Sequence, residues 1–347
     1  MKPHHIRFAV TVILVLATSL CSCEHKDLCF NHPKHSARYE SKVAASYELI
    51  WEMRESDGFD WSACWPESFG YSYHSLNPSM PEGLCVNTYG GNGQKTSRHL
   101  PPTGGVIEMT PGINSLLMYN DDTEYIIFND LNISVSAKAT TRVRSRAGYT
   151  GNTLNTSSGN KTEKTVSPPD PLFGYYIEKY DQQPMVNPMT IRATMKPLVF
   201  KYVVRYEFTR GIEYAGLARG AMTGMAGSVF MYDGHTGNDR VTILYDCNVY
   251  DWGIEAVVNS FGIPNYPNNN YSRSGDFYGL NLEVMLKNGK VINFDHDVTK
   301  LIAAQPHGGV ILITGLEISD KDGNESGSGF DIDVDGWGEY EDIIIDI

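Results

Sequence analysis

Basic side chains, cysteines and long apolar runs are all in short supply in this chain. Its 28 Lys and Arg stand against 41 Asp and Glu, a formal net charge of −13 over 347 residues. That balance argues against nucleic acid as a partner and against charge-driven docking on anionic lipid. The six cysteines include no CxxC pair, and Cys29, Cys64, Cys85 and Cys247 lie far apart. At this length they allow one or two disulfides, or simply buried thiols, and define no cysteine scaffold. Neither GxGxxG nor GxxxxGK[ST] occurs, even in the glycine-rich stretch 216–227, whose expected role is close packing of small residues. No long 3.6-residue period is present. What remains is 33 Gly, 17 Pro, 21 Tyr and many short alternating segments, an all-β composition in a chain long enough for two domains.

The one concentrated apolar run lies at the start. Lys2 and Arg7 precede about ten apolar residues ending at Leu16, the length of a signal-peptide core and too short to span a bilayer. Leu20-Cys21-Ser22-Cys23 then resembles a bacterial lipobox, with an aliphatic residue three before the modified cysteine and a small one just before it. The small side chains let a peptidase reach the backbone, and the Cys23 thiol takes a diacylglycerol; two or more acyl chains give stable anchoring, each buried methylene adding about 0.8 kcal/mol. Residues 1–22 are therefore expected to be a lipoprotein signal peptide, Cys23 the lipid attachment, and 23–42 a polar tether on the outer-membrane surface. A plain secretory signal cut near Ser22 would instead leave Cys23 free or disulfide-bonded. Lys2 and Arg7 are the only Lys, Arg, Asp or Glu among residues 1–22, so the mature net charge moves from −13 to −15. Five Asn-x-Ser/Thr sequons, at Asn132, Asn155, Asn160, Asn270 and Asn324, matter only in a eukaryotic secretory route, which the lipobox opposes.

Further along, Tyr47, Leu49, Trp51 and Met53 alternate with more polar neighbours and predict a strand. Residues 55–82 read as a Trp- and Pro-rich loop. Strands follow at 84–88, closed by Gly90-Gly91-Asn92-Gly93, and at 106–109, 114–119, 125–128 and 133–139, at sandwich-like spacing. Apolar content collapses over 142–171, which predicts a loop, and a second domain is placed from near Pro188. There Leu198, Phe200, Tyr202, Val204, Tyr206 and Phe208 share one face of a core strand. Strands at 241–247 and 280–286 come next. Asn288-Gly289 is the favoured two-residue hairpin signal before a return at 291–294. Asp297 or Thr299 caps a short helix through 301–304, and strands at 310–318, 330–334 and 343–347 finish the chain. The domains expected are thus 43–187 and 188–347.

Candidate sites are few. Asp331-Ile332-Asp333-Val334-Asp335-Gly336 with Asp342 comes near a calcium loop, but the apolar alternation reads better as a half-buried strand. Cys29, His32 and His35 have metal-like spacing without a fourth ligand. Asp295-His296-Asp297 could orient an imidazole for base catalysis, yet a strand end meeting a helix cap explains it equally well. No cofactor, metal or catalytic set is expected, and no enzyme. The Tyr/Asn-rich stretch 266–278, with Tyr266, Tyr271, Phe277 and Tyr278, suits a sugar or a protein surface, the alternative being a surface loop with ordinary tyrosines.

Several segments resemble the fimbrillin-like, pilus-associated outer-membrane lipoproteins of Bacteroidetes. They are Cys23-Glu24-His25-Lys26-Asp27-Leu28-Cys29, Leu100-Pro101-Pro102-Thr103-Gly104-Gly105, Tyr119-Asn120-Asp121-Asp122-Thr123-Glu124-Tyr125-Ile126, Ala218-Arg219-Gly220-Ala221-Met222-Thr223-Gly224-Met225-Ala226 and Val334-Asp335-Gly336-Trp337. The resemblance covers nearly the whole mature chain, in the family's order, and points to a branch of unassigned function near the anchor and accessory subunits. It implies two tandem transthyretin-like β-sandwich domains, a lipidated precursor, other pilus subunits as partners, and a host or bacterial surface ligand. Polymerising members of that superfamily lose an N-terminal strand after a basic residue and accept a strand from a neighbour. Arg38 and Arg54 lie in the corresponding region, though in no matching motif. A chain ending on a strand at 343–347, without an appended tail, favours an anchor or accessory role over a stalk subunit. Glycan binding through 266–278 is the alternative.

Overall fold

The structure, a computed structural model, describes residues 38–56, 58–145, 163–267 and 277–324. Its first strands are β1 (Glu40–Tyr47), β2 (Leu84–Gly90), β3 (Lys95–Leu100), β4 (Gly104–Glu108) and β5 (Gly112–Tyr119). Three short strands follow, β6 (Ile126–Asn129), β7 (Lys138–Thr141) and β8 (Lys164–Val166), then β9 (Phe173–Gln182) and β10 (Met189–Pro197). The second half holds β11 (Phe200–Arg210), β12 (Ala215–Ala226), β13 (Ser228–Phe230), β14 (Arg240–Tyr250), β15 (Gly253–Ser260), β16 (Gly279–Leu286), β17 (Val291–Asp297) and β18 (Gly309–Glu317). Two single-turn α-helices, α1 (Thr299–Ala303) and α2 (Asp320–Asn324), and three short 3-10 turns, at Glu67–Phe69, Tyr73–Leu76 and Ile212–Tyr214, complete the described elements. No helix among the described residues is long and apolar enough to cross a membrane.

The strands form two large sheets and one small one. The first runs β3-β2-β5-β9-β10-β1-β4; because β3 and β4 are joined by the short turn at Pro101-Pro102, its two edges meet and it curls towards a barrel. Val43, Leu84, Val86, Ile107, Leu116, Met118 and Met195 fill its inside. The second runs β17-β16-β12-β14-β15-β11-β18 and folds on itself, so that Phe208 of β11 meets Phe294 of β17 edge to face at 5.6 Å. The small sheet β13-β7-β6 takes strands from both halves and covers the other face of the first sheet. Leu117, Tyr119, Val229 and Phe261 pack there, and this shared core holds the halves together. The architecture is an all-β sandwich. Met189–Pro197 lies in the first sheet and Phe200–Arg210 in the second, so the chain changes sheets at Leu198-Val199, later than the boundary expected near Pro188.

Local sequence explains most elements. In β11, Tyr202, Val204 and Tyr206 point into the second core with no exposed surface, while Arg205 turns to the opposite face. Gly93 and Gly289 take positive φ angles (79° and 81°) in the β2–β3 and β16–β17 turns, as the Gly90–Gly93 cluster and the Asn-Gly pair predict. Asp297 Oδ1 accepts the Thr299 amide at 2.9 Å ahead of α1. Two strands are not as expected. The strand expected over Tyr47–Met53 is absent: the strand lies before it, at Glu40–Tyr47, reaching back into the expected tether, because Trp51 leaves the first sheet and buries itself against the second. Only the end of the strand expected at 133–139 is one: Ser136 and Ala137 both donate to the Ile133 carbonyl (3.0 and 3.1 Å), a helical-type turn, and pairing begins at Lys138. The glycine-rich run at 216–227 is largely the central strand β12; a Cβ on Gly220 would sit 2.3 Å from the Tyr245 ring. Cys64, Cys85 and Cys247 are free thiols. The strands expected at 330–334 and 343–347, and the acidic segment between them, lie outside the described residues.

Two ion pairs are buried between neighbouring strands. Arg219 of β12 reaches Glu283 of β16 at 2.6 Å, and Arg205 of β11 reaches Glu255 of β15 at 3.2 Å, each pair in direct cross-strand register. Burying four charges in a β core is tolerated only because each faces its partner.

Candidate functional site

The feature that sets this fold apart is how β1 is held. It pairs in parallel with β10, from Ser41 opposite Met189 to Tyr47 opposite Met195, and antiparallel with β4, from Glu40 opposite Glu108 to Ala44 opposite Gly104. A strand from the front of the chain is thus inserted between two strands that follow it by about 60 and 150 positions in the sequence. Val43 faces the core, 1% exposed. Ser41 is fully buried, its hydroxyl donating to Gln182 Oε1 at 2.8 Å.

The segment Leu100-Pro101-Pro102-Thr103-Gly104-Gly105 builds the slot. The Gly104 amide donates to the Pro101 carbonyl (2.8 Å), the Ala45 amide to the Thr103 carbonyl (3.1 Å), and the Tyr47 hydroxyl to the Pro102 carbonyl (3.0 Å). Gly104 has φ +102°, and a Cβ there would fall 2.2 Å from the Val43 carbonyl oxygen. Only glycine lets β4 come this close to β1.

Past Tyr47 the chain becomes a strap from the first sheet to the second. The Lys201 amide donates to the Trp51 carbonyl (2.8 Å) and the Met53 amide to the His307 carbonyl (2.9 Å). Trp51 lies under Trp65 and Tyr73, part of an aromatic cover formed by the irregular segment between β1 and β2 over Val203 and Val310. The Arg205 guanidinium is stacked between Phe69 and Trp252, 4.6 and 3.5 Å from the ring centres. Burial, reinforced by Asp60, pushes the Glu52 carboxyl up to about 7, against the lowering effects of the Tyr73 hydrogen bond and Arg54. Burial also holds the His307 imidazole down at about 4, stacked on Phe200. Two basic residues flank this unit. Arg38 is exposed and 3.5 Å from Glu40; Arg54 is half exposed, bonded to the Gly58 carbonyl (2.9 Å) and Asp60 (2.6 Å).

The free edges are the complementary feature. Among the described residues β18 pairs only with β11, in parallel, and its outer side carries no strand; β17, at the other end of that sheet, pairs only with β16. Leu312 of β18 is 43% exposed. Such edges can accept an added strand through backbone hydrogen bonds.

The residues singled out from the sequence fare unevenly. Tyr266 is buried, its hydroxyl donating to Glu55, and Tyr278 lies in the second core beside Leu280 and Leu282, so neither belongs to a ligand surface. Phe277 is half-buried and lines a depression of about 420 Å³ with Asp297, Thr299 and Lys300. Tyr271, like Cys23, Cys29, His32 and His35, lies outside the described residues. Asp295-His296-Asp297 is not an orienting array, since successive residues of β17 face opposite ways. His296 turns toward Tyr206, Asp295 accepts from Asn281 Nδ2 (2.7 Å), and Asp297 serves α1. Cys85, His99 and Asp121, which the sequence reading passed over, bring three potential metal-donor atoms within 4.8 Å of one another.

Two curled β-sheets joined by a strap, with an N-terminal strand slotted into the first, make the chain an all-β sandwich protein. Residues 72–246 match the family described as Domain of unknown function (DUF5119), and the chain belongs to it. It is similar to a candidate fimbrium anchoring subunit, Fim4B, of Bacteroides ovatus, 26% identical over 156 residues. That match spans 44% of this chain and 44% of the relative, so the chain matches less than half the length of that curated relative. Its fold is similar to the crystal structure of a candidate adhesin from Bacteroides ovatus, at TM-score 0.54 and 18% identity, covering 83% of this chain and 96% of that one.

Proposed function

We propose that the chain is a fimbrial anchor or accessory subunit in cell adhesion, held on the outer membrane by a lipid at Cys23 and joined to neighbouring subunits by strand complementation. The slotted strand β1 is the observation that carries this reading. A slot that accepts a strand with no hairpin link to either neighbour is already a complementation site, filled here in cis. Cleavage after Arg38 leaves β1 in place, whereas cleavage after Arg54 frees it along with Trp51 and opens the groove between β10 and β4. An anchor that keeps its own strand needs no such cut and engages its neighbour through an open edge such as β18. The function is one of assembly and not of catalysis, and the two domains meet where the chain passes from β10 to β11. Glycan binding through 266–278 is the weaker reading, with Tyr266 and Tyr278 committed to the core.

The test is extraction from the native membrane and electrophoresis in detergent without heating. Strand-complemented assemblies resist detergent, so a ladder or a stable partner band that collapses on boiling is expected. A lipid-bearing monomer under all extraction conditions would overturn the assembly role, and a Cys23→Ser chain that stays with the membrane would overturn the anchor.

A further inference from the structure

We propose that Cys85, His99 and Asp121 form a binding site for a zinc-class divalent cation at the β3 edge of the first sheet. The register creates it. Cys85 of β2 lies directly opposite His99 of β3 on one side and Tyr119 of β5 on the other, and Asp121 follows Tyr119 by two positions. The three side chains converge, their donor atoms all within 4.8 Å, and the His99 imidazole is hydrogen-bonded to the Asp121 carboxylate. A thiolate, an imidazole and a carboxylate are the donor set that zinc prefers, and three protein ligands leave the fourth tetrahedral position to water. Cys85 is buried and His99 exposed, so the site has a fixed floor and an open mouth.

The surroundings hold the donors in place. Asn120 is buried, donating to Asp122 Oδ1 (2.9 Å) and the Pro171 carbonyl (3.1 Å) and accepting the Phe173 amide (2.7 Å), which fixes the turn presenting Asp121. Gly83 leaves room for that carboxylate: a Cβ there would sit 2.8 Å from Asp121 Oδ1. On the floor, Asn87 Oδ1 receives the Cys85 S–H at 3.8 Å and the Ser97 hydroxyl at 2.6 Å, and Asn87 Nδ2 donates to the Tyr119 hydroxyl at 3.4 Å. The Asn87 amide oxygen accepts from the protonated thiol and fixes the direction of the sulfur; burial favours that protonated form, so a cation must displace the proton on binding. When the cation binds, the thiol proton leaves to solvent and a metal–sulfur bond forms in its place, with the imidazole and carboxylate each contributing a lone pair. The cation would tie β3, β2 and the turn after β5 together.

The experiment uses the mature full-length chain, stripped with chelator and titrated first with Co²⁺ and then with Zn²⁺. One equivalent of cobalt is expected, with a near-ultraviolet thiolate-to-cobalt band that one equivalent of zinc abolishes. His99→Ala changes an exposed side chain, should keep the fold by circular dichroism, and should lose the band. Cys85→Ser should lose it too, and Asp121→Asn should weaken binding about 10- to 100-fold. Absence of the band, or a band that survives in folded His99→Ala and so arises elsewhere, for example at exposed Cys64, would overturn the site.

Discussion

Each large sheet contains a long parallel strand pair, and the two pairs end differently. In the first, β1 runs parallel to β10 and is covered on its other side by β4; in the second, β18 runs parallel to β11 and, among the described residues, is covered by nothing. The bracketed strand has regular register along both neighbours, whereas the open one shows two register shifts against β11, with Gly315 at φ +80°. Bulges are not confined to edges, since the interior strand β12 shifts register against both β14 and β16. What an edge adds is a row of unpaired backbone groups that, unless bent away, can pair with another chain.

Removing the bracketed strand should have the largest effect. A chain beginning at Glu55 lacks β1 and the strap, should lose cooperative melting of the first sheet, and should recover it when a peptide of residues 38–54 is added. Failure of the peptide to bind would end the view of the slot as a complementation site. Next is the buried pair beneath the open sheet: Glu283→Ala strands Arg219 and should cost about 3–5 kcal/mol in denaturant unfolding. Gly104→Val forces a side chain into the β1–β4 contact and should cost about 1–3 kcal/mol, read in the same way. The strap predicts a pH effect. Glu52 has its carboxyl raised from 4.5 to about 7, so its contribution is complete below pH 4.5 and lost as pH rises through 7. His307, lowered from 6.5 to about 4, contributes above pH 6.5 and loses that as pH falls toward 4. Glu52→Gln should therefore gain in Tm relative to the parent chain from pH 5 to 8, and a constant difference would show that Glu52 does not titrate there. The smallest effect is expected at the open edge. Leu312→Lys should change stability by less than about 0.5 kcal/mol while reducing partner capture, which separates edge pairing from folding.

How much of this could be read beforehand depends on the range of the interaction. The faces of β11, β14 and β16 were legible because period two is a local property. Carrying the β16 pattern back from Leu280 by one step would have placed Tyr278 inside as well, whereas composition alone suggested a surface tyrosine. Strand β12 was hidden because its small residues have no apolar rhythm; they matter only once the Tyr245 ring lies across Gly220. The segment from 55 to 82 is irregular, as expected, but nothing local shows that its aromatic residues cover Val203 and clasp Arg205. The Cys85–His99 pairing was within reach, since a turn centred on Asn92 sets the two opposite each other. Asp121 was not, because its place depends on Asn120 reaching Pro171 and Phe173. The slot for β1 was the least legible feature, a parallel pairing between strands about 150 positions apart.

The direction of β1 also gives the molecule a compass. Its eight residues span about 25 Å, with Arg38 at one pole and the strap at the other. Whatever precedes Arg38 therefore leaves from the far pole of the first sheet, while the strap hands the chain to the second sheet. The front of the chain and the β18 edge, unpaired among the described residues, thus belong to different sheets, so a neighbour seated on that edge would leave the strand in the slot undisturbed.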